Sequence, residues 1–336
     1  MPPPERGDRA SFVWRGGWVG AWHDGRVSNP PTPTCVRHPD RPTGLACTRC
    51  GRSACPECLR PAAVGQHCVD CVRQGQRDVR PVRTVGGARA DGGAVPYVTY
   101  GLIAVNVLVY VITAAQAGDP MNNYRGSALF REFVLVPRIV ADGEFLRLIG
   151  SGFLHYGAIH LLVNMFALYI VGRDLERVLG RVRYGLVYLI SLLGGSAAVM
   201  ALSDPITATA GASGAVYGLF GAVTVTLIRL RQSPTPMLVV IGINVLISFS
   251  LPGISLWGHL GGLAAGTLSA LGILFAPAWL SARSQEAAQR IGWAALGAVT
   301  VACLAVIVAA TVYLRSQPPV IMIGAPATTA EVATQR

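Results

Sequence analysis

The sequence predicts an all-α polytopic membrane body preceded by a small Cys-rich domain, and three observations carry that reading. Of 336 residues, 52% are hydrophobic and only 13% charged, where soluble domains carry roughly 25% charged residues. Mean hydropathy is +0.47. From residue 97 onward, apolar runs recur at close to the length of about 20 residues that a helix needs to cross a bilayer core of about 30 Å. Seven of the eight cysteines lie between Cys35 and Cys71. The net charge of +11 comes from 28 basic residues that are all Arg. Fourteen precede Pro96 and most of the others sit in short gaps between apolar runs, which is how a membrane protein sets its orientation. A single soluble enzyme, a collagen and a wholly disordered chain are excluded.

Residues 1–34 mix Pro, Gly, Arg and three Trp without periodicity and are expected to be a disordered leader. No apolar run follows the early Arg residues, so no secretory signal peptide is expected. Residues 35–71 form the Cys/His module, and 72–94 turn to Arg, Gly, Val and Asp, the composition of a solvated linker. A membrane domain is expected over 95–276, a loop and last membrane helix over 277–314, and a disordered tail over 315–336. Spans are read near 97–117, 148–171, 184–202, 213–228, 237–250, 256–276 and 291–314. Helices are the natural reading, because every backbone polar group in lipid must be satisfied internally.

Alternate gaps carry Arg173, Arg177, Arg181 and Arg183, then Arg229 and Arg231, then Arg283 and Arg290. The positive-inside rule puts these gaps, and the N-terminal module with them, on the cytoplasmic side. Seven spans then leave the C-terminus outside. The gap 118–147 also holds Arg125, Arg131, Arg138 and Arg147, but Asp119, Glu132, Asp142 and Glu144 accompany them.

The run 213–228 is too short to span, at about 24 Å for 16 residues. Polar, Pro-containing sequence precedes it, so the helix is expected to start below the membrane surface with non-helical backbone above. Such backbone is tolerated only where protein or water surrounds it, which makes this a site candidate. Ser213 stands there between Gly211 and Gly214. Gly214 and Gly218 also make a G-x-x-x-G face of the kind that lets membrane helices approach closely. In the sixth span, His259 is followed by Gly262 and Gly266. A His in an apolar span is either a packing residue bonded to a carbonyl or a functional one. If the two Gly faces pack together, Ser213 and His259 come within hydrogen-bond reach, and His is the base suited to activating a Ser hydroxyl.

In the second span, His155, His160 and Asn164 follow one another, with His160 and Asn164 four apart on one face. Their ring and amide N–H groups are donors, suited either to an acyl-transfer oxyanion or to interhelical bonding. No Asp or Glu lies within the fourth or sixth apolar run, so a Ser–His dyad is the economical reading.

Over roughly 97–276 the chain resembles the rhomboid intramembrane serine proteases. The resemblance rests on H-x-x-x-x-H-x-x-x-N at His155, His160 and Asn164, and on G-x-S-G at Gly211, Ala212, Ser213 and Gly214, with Tyr217 one turn on. It rests also on H-x-x-G-x-x-x-G at His259, Gly262 and Gly266, and on G-x-x-x-E-x-x-x-G at Gly172, Glu176 and Gly180. It implies a rhomboid-like six-helix core, followed here by a seventh helix. It implies Ser213 as nucleophile, His259 as general base and Tyr217 stacked near it. His160, Asn164 and the Ser213 backbone N–H would bind the oxyanion, with His155 in support. Arg147 matches the Arg of the family's first-loop W-R pair, and Leu146 stands where the Trp would be. Gly258 stands where many members have Ala. The substrates implied are transmembrane segments of other proteins, in a bacterial-type cell membrane.

The Cys module reads independently. Cys35-x₂-His38, Cys47-x₂-Cys50, Cys55-x₂-Cys58 and Cys68-x₂-Cys71 are four similar pairs, suited to two structural tetrahedral Zn²⁺ sites. A disulfide framework is the alternative, disfavoured where thiols stay reduced. The order resembles a B-box-like cross-brace. That implies Cys35, His38, Cys55 and Cys58 on one ion, and Cys47, Cys50, Cys68 and Cys71 on the other, with His67 an alternative ligand. Catalysis itself calls for no cofactor. Cys303 is expected to be ordinary packing. The competing function is a non-catalytic membrane adaptor that recruits an unknown protein partner through the zinc module. An intramembrane metalloprotease would need H-E-x-x-H, which is missing. Nucleic acid is not expected as a partner, because no aromatic stacking platform accompanies the Arg residues.

Overall fold

A computed structural model describes residues 32–78, 83–87, 95–250 and 253–318. The expected leader, apart from its last residues, and the tail beyond Pro318 lie outside them, as does most of the linker after Asp78. The chain divides into two units, at Arg80 and Pro81.

The first unit is built from two small antiparallel ladders. Strand β1 (Thr34–Cys35) pairs with β2 (His38–Pro42), and β3 (Leu59–Pro61) pairs with β4 (Gln66–Cys68). A single 3₁₀ turn, Pro56–Cys58, precedes β3, and helix α1 (Val69–Asp78) follows β4. Helix α1 carries Cys71 and runs on through Asp78, into the stretch expected as linker. The buried apolar centre is Cys35, Cys47, Cys55, Cys58, Cys68 and Cys71, with only Ala54 and Leu59 added. That is too little apolar surface to fold so short a segment by burial alone.

The second unit is helical. Helix α2 (Tyr97–Ala117) is followed by four short helices: α3 (Asn123–Gly126), α4 (Ala128–Phe133), α5 (Pro137–Ala141) and α6 (Arg147–Gly150). Then come α7 (Gly157–Leu179), α8 (Arg181–Leu202), α9 (Ser213–Arg229), α10 (Thr235–Ser250) and α11 (Leu256–Leu274). A turn of helix, α12 (Ala276–Trp279), leads to the 32-residue α13 (Gln285–Ser316). Helices α2, α7, α8 and α13 are long and apolar enough to cross a membrane, while α9 and α10 are apolar but shorter. The protein is a multi-pass membrane protein whose second unit is all-α.

The second span differs most from expectation. It begins at Gly157 rather than near residue 148, and ends at Leu179 rather than 171. Gly157 has φ +77°, and a Cβ there would sit 2.7 Å from the Met121 carbonyl, so the helix can start only where glycine permits the turn. Residues 147–153 are instead α6 and a 3₁₀ turn. As the sequence predicts, α9 is short, about 26 Å long for 17 residues. The backbone ahead of it is non-helical, and Thr209 bridges to Leu135.

Three helices meet at a glycine seam that holds the site. A Cβ on Gly262 of α11 would collide with the Gly214 carbonyl of α9, and one on Gly266 with Gly218. Gly194 of α8 meets Ala265, and Gly195 meets the Gly258 carbonyl. Helix α2 is fixed at its start by Glu176 of α7, whose buried carboxylate accepts from the N–H groups of Val98 and Thr99 and from the Thr99 hydroxyl. A carboxylate at a helix N-terminus satisfies its free donors and its dipole together.

Candidate active site

Ser213 is the first residue of α9 and His259 lies in the first turn of α11. The glycine seam brings these two helix starts together. Ser213 Oγ stands 2.7 Å from His259 Nε2. The Tyr217 ring stacks on the imidazole, with centroids 4.0 Å apart and planes 14° from parallel. His259 is buried, at 6% exposure. Its Nδ1 lies 2.7 Å from the Ser248 hydroxyl of α10, which itself donates to the Asn244 carbonyl. Ser248 was not legible as a site residue. The one signal was a polar pair, Asn244 and Ser248, at i and i+4 in an otherwise apolar run.

His160 faces the same space from α7. Its Nδ1 accepts from the Tyr156 backbone N–H at 3.2 Å, so the proton of the neutral ring is on Nε2. Gly211 separates that nitrogen from Ser213: a Cβ on Gly211 would be 3.1 Å from His160 Nε2 and 3.5 Å from Ser213 Oγ. Gly211 has φ +135°, which glycine adopts without strain, and donates its N–H to the Ser151 carbonyl; this turn delivers Ser213 to the helix start. The first N–H groups of α9, Ser213 and Gly214 among them, have no acceptor within the helix. Asn164 is buried and donates from Nδ2 to the His160 carbonyl of its own helix, at 2.9 Å. His155 is fully buried and packs edge-on to the His160 ring. The structure thus gathers Ser213, His259, Tyr217, Gly211, Gly214 and His160 around one space, with Asn164 and His155 behind His160.

Beside Ser213 and His259 lies a cavity of about 30 Å³ that Ser151, Ser196, Thr209 and Ser255 help to line. The family model for the rhomboid domain matches residues 142–276, which contain every one of these residues. RHOMBOID-like protein 4 of Arabidopsis thaliana is 30% identical over 226 residues, 58% of this chain and 57% of that protein. The rhomboid protease GluP of Bacillus subtilis is 33% identical over 180 residues, 52% of this chain but 34% of its own length. The Bacillus subtilis relative YdcA is 37% identical over 134 residues, which take in 67% of its length. The chain belongs to the rhomboid family.

In this rhomboid the loop ahead of α7 is anchored without the aromatic partner. Arg147, 7% exposed, pairs with Glu144 at 2.6 Å and donates to the carbonyls of Arg131 and Val134. Leu146 beside it is 75% exposed and contributes nothing to that clamp.

The Cys/His module precedes the rhomboid match. Its Cys and His side chains gather into two groups, Cys35, His38, Cys55 and Cys58, and Cys47, Cys50, Cys68 and Cys71. Within each group the ligand atoms lie inside 4.8 Å of one another. His38 Nδ1 is 3.9, 3.5 and 3.4 Å from the three sulfurs of its group, and Cys50 and Cys68 sulfurs are 3.9 Å apart. A tetrahedron with metal–sulfur bonds of about 2.3 Å has edges of about 3.8 Å, so both groups could hold a metal ion. His67 belongs to neither group and pairs with Arg60 in the β3–β4 ladder. The cysteines are free thiols. In the first group the N–H of Cys55 chiefly lowers the Cys35 thiol to about 6, whereas burial and its thiol neighbours push Cys58 up to about 11. In the second, burial opposes ionisation of Cys47 but the N–H groups of Cys68, Cys50 and Arg49 draw it to about 6, while burial and its neighbours push Cys71 up to about 12. Such thiols ionise together only around a cation.

Proposed function

We propose that this rhomboid is an intramembrane serine endopeptidase that cleaves transmembrane segments of other membrane proteins. The observation that carries the proposal is the 2.7 Å contact between Ser213 Oγ and His259 Nε2 at the meeting of two helix starts. GluP, a third identical to this chain over the shared region, is itself named a rhomboid protease.

In the reaction, Ser213 Oγ attacks the scissile carbonyl carbon and gives its proton to His259 Nε2. The carbonyl oxygen becomes an anion held by the free N–H groups at the start of α9 and by His160 Nε2–H. Collapse breaks the C–N bond, and His259 returns the proton to the leaving amine. Water then attacks the ester on Ser213, His259 takes a proton from it, and that proton restores the Ser213 hydroxyl. The net change is one peptide bond and one water for an acid and an amine. The hydroxyl-lined cavity is large enough for one or two waters. Thr209 Oγ1 is buried beside it without a partner among the described residues.

Zinc is the metal that the two thiolate-rich groups suit, in a structural role, since each group fills four positions with protein ligands. The metal module is cytoplasmic and the end of α13 external, in a bacterial-type cell membrane. Three of the Arg residues on the opposite side, Arg138, Arg147 and Arg315, are tied to carbonyls of Leu314, Arg131, Val134 and Ala141, which lessens their weight in the charge contrast. Reporter fusions before Tyr97 and after Ser316 should report opposite sides; the same side for both would reject this topology.

The decisive test is cleavage of a fluorogenic transmembrane peptide by purified full-length protein in bicelles. Ser213→Ala and His259→Ala should each abolish turnover and fluorophosphonate labelling while expression and thermal stability hold. Turnover by Ser213→Ala at the normal rate would reject the serine mechanism. A chain that binds partners but neither labels nor cleaves would instead be an adaptor.

A further inference from the structure

We propose that Ser248 is the positioning residue for His259: it holds the imidazole with its proton on Nδ1, so that Nε2 faces Ser213 as the free base. This rests on the endopeptidase reading above.

Helix α10 is 16 residues long and apolar, and the one side chain it buries is a serine, Ser248. Its neighbours Leu246, Ile247 and Phe249 are exposed. A buried hydroxyl away from water needs partners, and Ser248 Oγ has three. They are the Asn244 carbonyl at 2.7 Å, His259 Nδ1 at 2.7 Å and Tyr217 Oη at 3.2 Å. A hydroxyl offers one proton and two lone pairs. The Asn244 carbonyl can only accept, so it takes the Ser248 proton. Both lone pairs then receive N–H from His259 and O–H from Tyr217, and every position is filled with the right polarity.

The neutral imidazole carries one proton. With that proton on Nδ1, Nε2 has an open lone pair aimed at the Ser213 hydroxyl 2.7 Å away, which is the state a general base must hold. The opposite tautomer would aim an N–H at Ser213 and quench its proton transfer. It would also draw the Ser248 proton away from Asn244. Ser248 therefore selects the reactive tautomer by hydrogen-bond polarity alone. Tyr217 assists from two sides, stacking on the ring and donating to the Ser248 hydroxyl.

A carboxylate would do this job more strongly in a soluble enzyme, because it also stabilises the imidazolium. Within a bilayer an ionised Asp is costly. Among the described residues no carboxylate bonds to the His259 ring, and a neutral serine gives orientation without a buried charge. When His259 takes the Ser213 proton, its Nδ1–H stays on Ser248 and no further proton moves.

The test uses the bicelle assay with full-length Ser248→Ala, Ser248→Thr and Ser248→Val beside the unsubstituted protein. Ser248→Ala should lower kcat about 10-fold, near the upper end of what one neutral hydrogen bond supplies, with KM essentially unchanged. Fluorophosphonate labelling of Ser213 should slow in step. Thr keeps the oxygen and should recover most of the rate; Val has the shape of Thr without the oxygen and should not. Full kcat in Ser248→Ala overturns the proposal, as does a rise in KM with kcat unchanged, or equal rates for Thr and Val. Melting temperatures taken on the same samples separate a folding defect from a chemical one. Failure of the endopeptidase reading is distinct, because there Ser213→Ala would match the unsubstituted protein.

Discussion

His160 and Asn164 stand one turn apart on α7, yet their donors are differently committed. The Nε2–H of His160 is fixed by the N–H that Tyr156 gives to its other nitrogen, and it borders Ser213 across Gly211. Asn164 spends one of its two amide protons on the His160 carbonyl. The two therefore differ in what they can offer an oxyanion. Removing a donor aimed at the oxyanion lowers kcat on the order of 100-fold, and His160→Ala should show that loss. Asn164→Ala should lose less, because Asn164 acts in part by fixing the α7 turn that carries His160. Single-turnover rates with one transmembrane peptide decide it, and a larger loss in Asn164→Ala would reverse the assignment. The pairing of Ser213 with His259 was legible because each lies in a glycine-spaced motif that declares which face approaches the other. Ser248 was not, since its value depends on where α10 lies over α11, and nothing within its own run marks that contact. His155 is legible only as support for His160, and its edge-on packing against that ring is a matter of tertiary contact.

At the scale of the elements, the seam of α8, α9 and α11 explains why the site can exist in so apolar a chain. Lipid gives helices no hydrophobic reason to associate, so close backbone approach must supply the attraction. Gly262 and Gly266 let α11 lie against the carbonyls of α9, and that approach sets the separation of Ser213 and His259. Gly262→Ala should push α9 and α11 apart at the Gly214 carbonyl, costing about 1–3 kcal/mol in overpacking and most of the turnover. Gly242 is the control: it lies on α10 with nothing within 4 Å of the Cβ position. There Ala should be neutral or slightly stabilising, as Gly is about 1 kcal/mol worse than Ala within a helix. Thermal melts and turnover of both variants form the measurement; equal tolerance at the two positions would mean that the seam does not set the geometry. The helix order was read correctly from apolar runs, but the second span was misplaced at both ends. Hydropathy cannot separate α6 and its following turn from a membrane helix, because Leu148, Ile149 and Phe153 are as apolar as a span would require. The start of α7 is set instead by the close approach of Gly157 to Met121, a tertiary contact.

At the scale of the whole chain, two units meet their stability requirements by different means. The helical unit is held by the glycine seam, by Glu176 at the start of α2 and by α13. The last of these is tied to the loop before α7 through Arg138 on the Leu314 carbonyl and Arg315 on that of Ala141. The small unit has a centre made almost wholly of the cysteines of its two candidate metal groups. With an ion in each group, removing the metal would take away both its cross-links and its interior, and metal binding there would be folding free energy. Purified protein should therefore carry about two Zn²⁺ per chain, one for each closed four-ligand site. Under reducing conditions, a strong chelator should expose residues 35–78 to protease and strip the metal. The helical unit should keep its melt and its basal turnover of a transmembrane peptide, since the proposed chemistry uses no residue of the metal groups. Metal analysis, limited proteolysis and turnover on one sample, before and after chelation and after zinc return, check all three parts. Metal near zero in the reduced protein rejects the zinc sites. Turnover that falls with the metal and returns with it would mean that the small unit controls access to Ser213.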